Sequence, residues 1–152
     1  FVSLGIVLAT RGGEGSKPLV RADERLPFPE VPDQLLGEYR AVVPQGQSAQ
    51  TMTLRAADDT VCRPLLGGKG TCFLIHPVAN ELDSGARGQA AFHDGMVVLR
   101  YVRIPFVPEC EQEIDRYRVS QDRRRLILDM RVIVKGTFED CSFSAFVRTA
   151  EQ

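Results

Sequence analysis

Beyond residue 34, apolar and polar residues alternate with a period of two, which is typical of half-buried β-strands. The segment RLILDMRVIVK at 125–135 shows this alternation over the longest run. One face is predicted to carry the apolar residues Leu126, Leu128, Met130, Val132 and Val134. The opposite face is predicted to carry Asp129, Arg131 and Lys135. Five apolar residues in strict alternation are hard to fit to the period of a helix, so we expect a strand here.

Turn signals separate this run from several shorter ones. They are ADDT, LLGGKG, DSGARG, HDG and SQDRR, each rich in residues that favour turns. The predicted strands are 37–43, 51–56, 60–66, 71–76, 88–93, 95–104, 113–120 and 125–148, the last of which breaks near Gly136 to leave a closing strand. Short strands joined by hairpins predict an all-β fold, an antiparallel barrel or sandwich of about eight strands, over residues 35–150.

The two segments before residue 35 lack this pattern. Residues 11–34 contain glycines, charges and four prolines, and indicate a linker that is extended around LPFPEVP. Residues 1–10, FVSLGIVLAT, are apolar or small. They have the length of a signal-peptide core and are too short to span a bilayer. Three interpretations remain open for them: the end of a membrane anchor, a strand of the fold, or an uncleaved signal core. The candidate residues for membrane or partner docking are Phe1, Val2, Leu4, Ile6, Val7 and Leu8.

Composition and charge narrow the function classes. A chain of 152 residues, 43% hydrophobic, suits one domain with its own core. Nineteen basic and twenty acidic residues leave a net charge of −1. This balance provides no broad positive field, so nucleic-acid binding is not expected.

The four cysteines are predicted to form two disulfides, and of the three possible pairings the favoured one joins Cys62 with Cys72 and Cys110 with Cys141. Glycines between Cys62 and Cys72 favour a hairpin that brings the two Cα atoms to about 5.5 Å, which a disulfide accepts. No two cysteines have the short spacing that is typical of structural zinc, so no metal is predicted. Disulfides indicate an oxidising location, and we expect an extracytoplasmic protein, periplasmic or secreted.

Motifs that would indicate catalysis are weak. GGKGT at 67–71 departs from the phosphate loop because Gly70 follows Lys69, and no GxSxG motif occurs. ECEQEID at 109–115 places Glu109, Glu111, Glu113 and Asp115 on one strand face. That face suits calcium or a basic partner, or simply a solvated surface next to the arginines that follow. We therefore predict no catalytic residue, no cofactor and no enzymatic activity.

Two short motifs resemble the opening and closing strands of small lipocalin-like (calycin) β-barrels. LLGEYRA at 35–41 has Gly37 and Tyr39 in the matching places, and FSAFVRT at 143–149 ends in Arg148 and Thr149. The resemblance spans about 115 residues and implies an antiparallel barrel that carries a small apolar ligand. The chain departs from the pattern in having tyrosine where tryptophan is usual, and it contains no tryptophan.

Two functions follow as expectations. The first is a non-enzymatic accessory or scaffolding subunit of a membrane-associated assembly, with protein subunits as partners and the membrane reached through the N-terminal segment. The alternative is a lipocalin-like carrier of a small apolar ligand. Its pocket is predicted to be lined by Met52, Leu54, Met96, Val98, Leu126, Leu128, Met130 and Val132. A carrier needs an internal cavity, whereas a scaffold needs a filled core and an exposed apolar surface.

Overall fold

The strands close into an eight-stranded antiparallel barrel, in which each strand pairs with the next and β8 pairs with β1. The computed structural model describes residues 18–42, 50–77, 86–103, 111–136 and 144–149. The strands are β1 Gly37–Val42, β2 Gln50–Arg55, β3 Thr71–Pro77, β4 Ala86–His93, β5 Met96–Arg103, β6 Glu111–Val119, β7 Arg125–Lys135 and β8 Ala145–Arg148. The predicted all-β antiparallel fold is confirmed, and of its two forms the barrel is the one observed.

The predicted strand at 60–66 is wrong. Arg63–Leu66 instead form a single helical turn, α1, between β2 and β3. Pro64 lies in its first turn, where a backbone donor is not needed. Gly67 ends the turn in a left-handed conformation with φ of 71°, which glycine adopts without strain. Consecutive leucines, Leu65 and Leu66, are both buried, which a strand with one solvated face does not allow.

The main core fills the inside of the barrel. Its residues come from all eight strands and from the segment before β1. The largest fully buried side chains include Tyr39, Met52, Leu54, Phe73, Ile75, Leu99, Tyr117 and Phe146. The rings of Phe73 and Tyr101 pack edge to face, with centroids 4.9 Å apart. Such pairs add to the stability that burial of apolar area provides.

An extra residue in β7 interrupts the predicted alternation. Tyr117 of β6 pairs with Leu128 and Arg116 pairs with Met130, so Asp129 has no partner of its own in the β6 register. One unpaired residue turns every following side chain to the other face of the strand. Asp129 accepts a hydrogen bond from Arg116 at 3.0 Å on the outside of the barrel.

The single apolar face predicted for β7 is therefore correct in its first half only. Leu126 is buried in the core and Leu128 packs against it. Met130, Val132 and Val134 lie on the outside and are 39%, 40% and 61% exposed. These three residues are called the β7 stripe below.

Residues 18–34 belong to the stretch for which the sequence predicts a linker. In the structure they pack on the barrel and are called the strap here. Val20 and Val31 are buried, and the strap leads into a short 3-10 turn, Asp33–Leu35, whose Leu35 enters the main core. The described part of the predicted linker is thus packed on the domain.

Candidate functional site

A buried polar cluster lies among the inward-facing side chains of β5, β6 and β7. At its centre the guanidinium of Arg131 contacts the carboxylate of Asp115 with two hydrogen bonds of 2.9 Å, from Nε to Oδ1 and from Nη2 to Oδ2. Tyr101, Tyr117 and Gln112 each donate to Oδ2 at 3.0 Å. The side chains of Asp115 and Arg131 are 0% and 1% exposed. These five residues are called the Asp115 cluster.

Strand register explains why an arginine lies inside the barrel. Asp115 pairs with Arg131 across β6 and β7, and with Leu99 of β5, which belongs to the main core. The unpaired Asp129 shifts the side chain of Arg131 inward, directly opposite Asp115. The buried cation and the buried anion are therefore cross-strand neighbours, the geometry in which a bidentate pair forms most readily.

The environment of the Asp115 cluster changes the acidity of its members. Burial, followed by the negative charge of Asp115, raises the pKa of Tyr101 and of Tyr117 well above 10.0. Burial alone lowers the pKa of Arg131, but the hydrogen bond to Asp115 and the charges that face the guanidinium outweigh burial and raise the pKa. The two tyrosines therefore remain protonated donors, and the arginine remains charged.

The Asp115 cluster is built to hold strands together. Oδ2 of Asp115 accepts hydrogen bonds from four donors, so a substrate or a metal would have to displace a donor to reach it. Within the described residues, every buried side-chain nitrogen or oxygen atom has a hydrogen-bond partner. A fully satisfied buried network gives rigidity and a unique packing.

The sequence prediction misplaced both charged members of the cluster. Asp115 was expected on the acidic face that includes Glu111 and Glu113, and Arg131 on the polar face of β7. In β6, Gln112 pairs with Ile133 and Ile114 pairs with Val132, so Glu113 is an additional residue that breaks the alternation. Glu111 stays exposed while Asp115 is buried. The alternation of residue types predicts neither the additional residue Glu113 in β6 nor the additional residue Asp129 in β7.

A second polar contact joins β8 to β1 and involves residues from the two lipocalin-like motifs. Arg148 donates to the hydroxyl of Tyr39 at 2.7 Å and to the carbonyl of Leu36 at 2.8 Å, and its guanidinium lies 5.2 Å from the Tyr39 ring centre. The Tyr39 hydroxyl donates in turn to the carbonyl of Leu35 at 2.7 Å. A cation over an aromatic face and these hydrogen bonds tie β8 to β1.

The eight residues predicted to line a ligand pocket divide between the two faces of the barrel wall. Met52, Leu54, Leu126 and Leu128 belong to the main core or pack against it. Val97 and Leu99 point inward, so Met96 and Val98 point outward. Met130 and Val132 also point outward, as part of the β7 stripe. Only four of the eight predicted residues can therefore line a pocket inside the barrel.

The predicted disulfide between Cys62 and Cys72 is present, with the two Cα atoms 5.5 Å apart. Its position differs from the predicted hairpin, because Cys62 immediately precedes α1 and Cys72 lies in β3. Both cysteines are fully buried. A disulfide is consistent with an oxidising, extracytoplasmic environment. Cys110, Cys141 and the proposed docking residues at 1–10 lie outside the described residues.

The β7 stripe ends at a cleft of about 160 Å³, whose lining also includes Tyr101 and Gln112 of the Asp115 cluster. Val20 and Glu24 of the strap, Val102 of β5 and Val134 of β7 are among its lining residues. An ion pair of 3.3 Å between Arg100 and Glu113 also lines the cleft. The cleft and the β7 stripe together form a continuous surface in which apolar side chains are bordered by charges.

Among the residues that the structure describes, no three His, Cys, Asp or Glu side chains are grouped so as to bind a metal ion. In the same part of the chain, no helix has both the length and the apolar character to cross a bilayer. No protein-family model, no curated protein and no solved structure matches the chain.

Proposed function

We propose that this protein is a non-enzymatic binding domain that works outside the cytoplasm as an accessory or scaffolding subunit of a membrane-associated assembly. The observation that supports the proposal most directly is the β7 stripe, an exposed row of apolar side chains on the wall of a barrel whose interior positions hold large, fully buried side chains. A domain of this kind offers its outer surface for binding.

The interior supports a scaffolding role because it is rigid. Tyr39, Phe73, Tyr117 and Phe146 are each fully buried, and the Asp115 cluster links β5, β6 and β7 by hydrogen bonds. A rigid domain that presents a surface loses little conformational entropy when a partner binds to it.

The β7 stripe supports a protein partner. Contiguous exposed apolar residues bordered by charges are a feature of protein interaction sites. Its borders here are the Arg116–Asp129 ion pair at 2.9 Å and the Arg100–Glu113 ion pair. The three side chains of the β7 stripe provide an apolar centre, and the charges provide a polar rim that selects the partner.

A binding assay with matched surface variants tests this proposal. The protein is immobilised, and detergent-solubilised membrane proteins from its source are passed over wild type, Val132→Ser/Val134→Ser and Val42→Ser. Val42 is the control because it is 41% exposed and lies on another strand, β1. We expect the same partner bands with wild type and Val42→Ser, and their loss with the double variant. Unchanged bands with the double variant would contradict the proposal.

Membrane association is tested by removing residues 1–17 alone, since the strap begins at Pro18 and packs on the barrel. We expect the shortened chain to leave the membrane fraction while retaining the circular dichroism spectrum and unfolding temperature of the full chain. If the shortened chain sediments with membranes to the same extent, residues 1–10 are not the attachment.

The second candidate is a lipocalin-like carrier. The closed antiparallel barrel and the contact of Arg148 with Tyr39 favour it, because they match the strands on which the resemblance rests. A bound apolar compound would have to lie beside Met52, Leu54, Leu126 and Leu128. Native mass spectrometry of the purified protein distinguishes the two functions: a carrier shows added small-molecule mass, which Leu126→Trp should abolish.

A further inference from the structure

The strap consists of two halves that are held by different partners. The first half, residues 18–25, is called the arm. Its backbone donates from Leu19 to the carbonyl of Pro64 and from Val20 to the carbonyl of Leu65, both at 2.9 Å. The guanidinium of Arg25 donates to the carbonyl of Leu66. All three acceptors belong to α1, so these bonds attach the arm to the helical turn.

The second half of the strap contacts the barrel itself. The backbone of Leu26 donates to the side chain of Gln89 at 2.8 Å, and Val31 donates to the hydroxyl of Thr71 at 3.2 Å. Phe92 of β4 donates to the carbonyl of Pro29 at 2.9 Å. These bonds end on β3 and β4, whose positions are set by the sheet and not by α1.

The helical turn depends on the disulfide. A helix of four residues is far too short to be stable by itself, so α1 has to be held from outside. Cys62 precedes it directly and is bonded to Cys72 of β3. Val20 of the arm, Leu65 and Leu66 of α1, and the two cysteines form a small buried cluster on the outer wall, against which Val102 of β5 packs. The disulfide therefore connects the platform of the arm to the sheet.

We propose that the arm is a releasable element controlled by the Cys62–Cys72 disulfide. Reduction by a dithiol breaks the Sγ–Sγ bond: two electrons and two protons pass to the cysteines, which become thiols, and the reductant becomes a disulfide. Without the covalent tie α1 loosens, its carbonyls no longer hold Leu19 and Val20, and the arm detaches. The second half of the strap and the barrel stay in place. Release exposes the apolar side chains of Leu65, Leu66 and Val102.

The coupling works in both directions. Both sulfurs are fully buried in the cluster that Val20 completes. A reductant reaches them only when the arm lifts, so a docked arm protects the disulfide. By linkage, whatever draws the arm away makes the bond easier to reduce.

Hydrogen exchange tests the release. Backbone amides are followed by NMR in the oxidised full chain, in the chain reduced with dithiothreitol, and in oxidised Cys62→Ser/Cys72→Ser, which leaves Cys110 and Cys141 unchanged. We expect exchange at Leu19 and Val20 to accelerate at least tenfold in the reduced chain and in the variant. Exchange at Val31 and Phe92 should stay within twofold of the oxidised chain. Unchanged exchange at Leu19 and Val20, or equal acceleration at all four amides, would overturn the proposal.

The rate of reduction tests the reverse direction. Wild type, Val20→Ser and the surface control Val42→Ser are treated with dithiothreitol, and the appearance of thiols at Cys62 and Cys72 is followed by alkylation and peptide mass mapping. We expect these thiols to appear at least fivefold faster in Val20→Ser than in the other two proteins. Equal rates in all three would show that the arm does not shield the bond and would overturn the coupling.

Discussion

Replacing Arg131 by methionine should destabilise the fold strongly. The substitution keeps a long, flexible side chain inside the barrel but removes the only counter-charge that contacts Asp115 within the described residues. The carboxylate is then held by the neutral donors Tyr101, Tyr117 and Gln112. Neutral donors replace only part of what a bidentate guanidinium provides, so a buried negative charge remains poorly compensated.

The expected magnitude follows from burial. Both side chains of the pair are excluded from water, and breaking such a pair on one side costs about 3–5 kcal/mol. A domain of this size has a free energy of unfolding on the order of 5–15 kcal/mol, so the loss is a large fraction of it. At roughly 2–4 °C per kcal/mol, the melting temperature should fall by about 6–20 °C.

The matched control lies on the same two strands. Arg116 and Asp129 form an ion pair of 2.9 Å on the outside, with side chains 38% and 28% exposed. Exposed pairs contribute about 0–1 kcal/mol, so Arg116→Met should change stability little. Urea unfolding followed by circular dichroism gives both free energies, and Asp115→Asn/Arg131→Met completes a double-mutant cycle. A cost for Arg131→Met below about 1 kcal/mol, or equal to that of Arg116→Met, would refute the reasoning.

Three further outcomes are expected. Burial raises the pKa of Tyr101 and Tyr117 in the folded state above the unfolded value of 10.0. Their contribution to the free energy of unfolding is therefore complete below pH 10 and is lost as the pH rises through the folded pKa. Stability measured by urea unfolding should therefore fall above pH 10, less steeply in Tyr101→Phe; equal slopes would contradict this. Gly88→Ala would place Cβ 1.9 Å from a backbone oxygen of the neighbouring strand and should lower the free energy of unfolding by about 1–3 kcal/mol or more. Gly95→Ala, where Cβ would lie in open space, should lower it by about 1 kcal/mol. Thermal unfolding of both variants measures the difference. Arg148→Lys keeps the charge but loses the planar guanidinium that contacts two acceptors. It should lower the free energy of unfolding in urea by about 1–2 kcal/mol. Wild-type stability would show that the contact of Arg148 with Tyr39 and Leu36 does not stabilise the barrel.

Period-two alternation predicts most of the barrel because most strands bury one face and expose the other. It fails at 60–66 because a short apolar run with a glycine after it fits a strand and a helical turn equally well. The proline in the first turn and the glycine at its end were the usable signals there. The pairing of Cys62 with Cys72 was predictable despite this error, since the chain between them is short enough to close in either conformation.

Alternation also predicts the wrong face for half of β7 and for Asp115. The additional residue Asp129 causes the error in β7, and the additional residue Glu113 in β6 separates the face of Glu111 from that of Asp115. A bulge depends on how two strands fit together, and single-strand patterns do not contain that information. Arg131, between methionine and valine in the sequence, therefore looks like a solvated residue. Only the strand register brings it opposite Asp115.

The same additional residue determines both the Asp115 cluster and the β7 stripe, and the balance of energies bears on function. If Asp129 were paired in regular register instead of bulged, Met130 and Val132 would face the core and Arg131 would face solvent. The observed register gives up that burial, which is on the order of 1 kcal/mol for each partly exposed aliphatic side chain. In exchange it buries an ion pair, which at best roughly offsets its own desolvation. Under the proposed function, a partner that covers the β7 stripe would recover the burial that the register gives up.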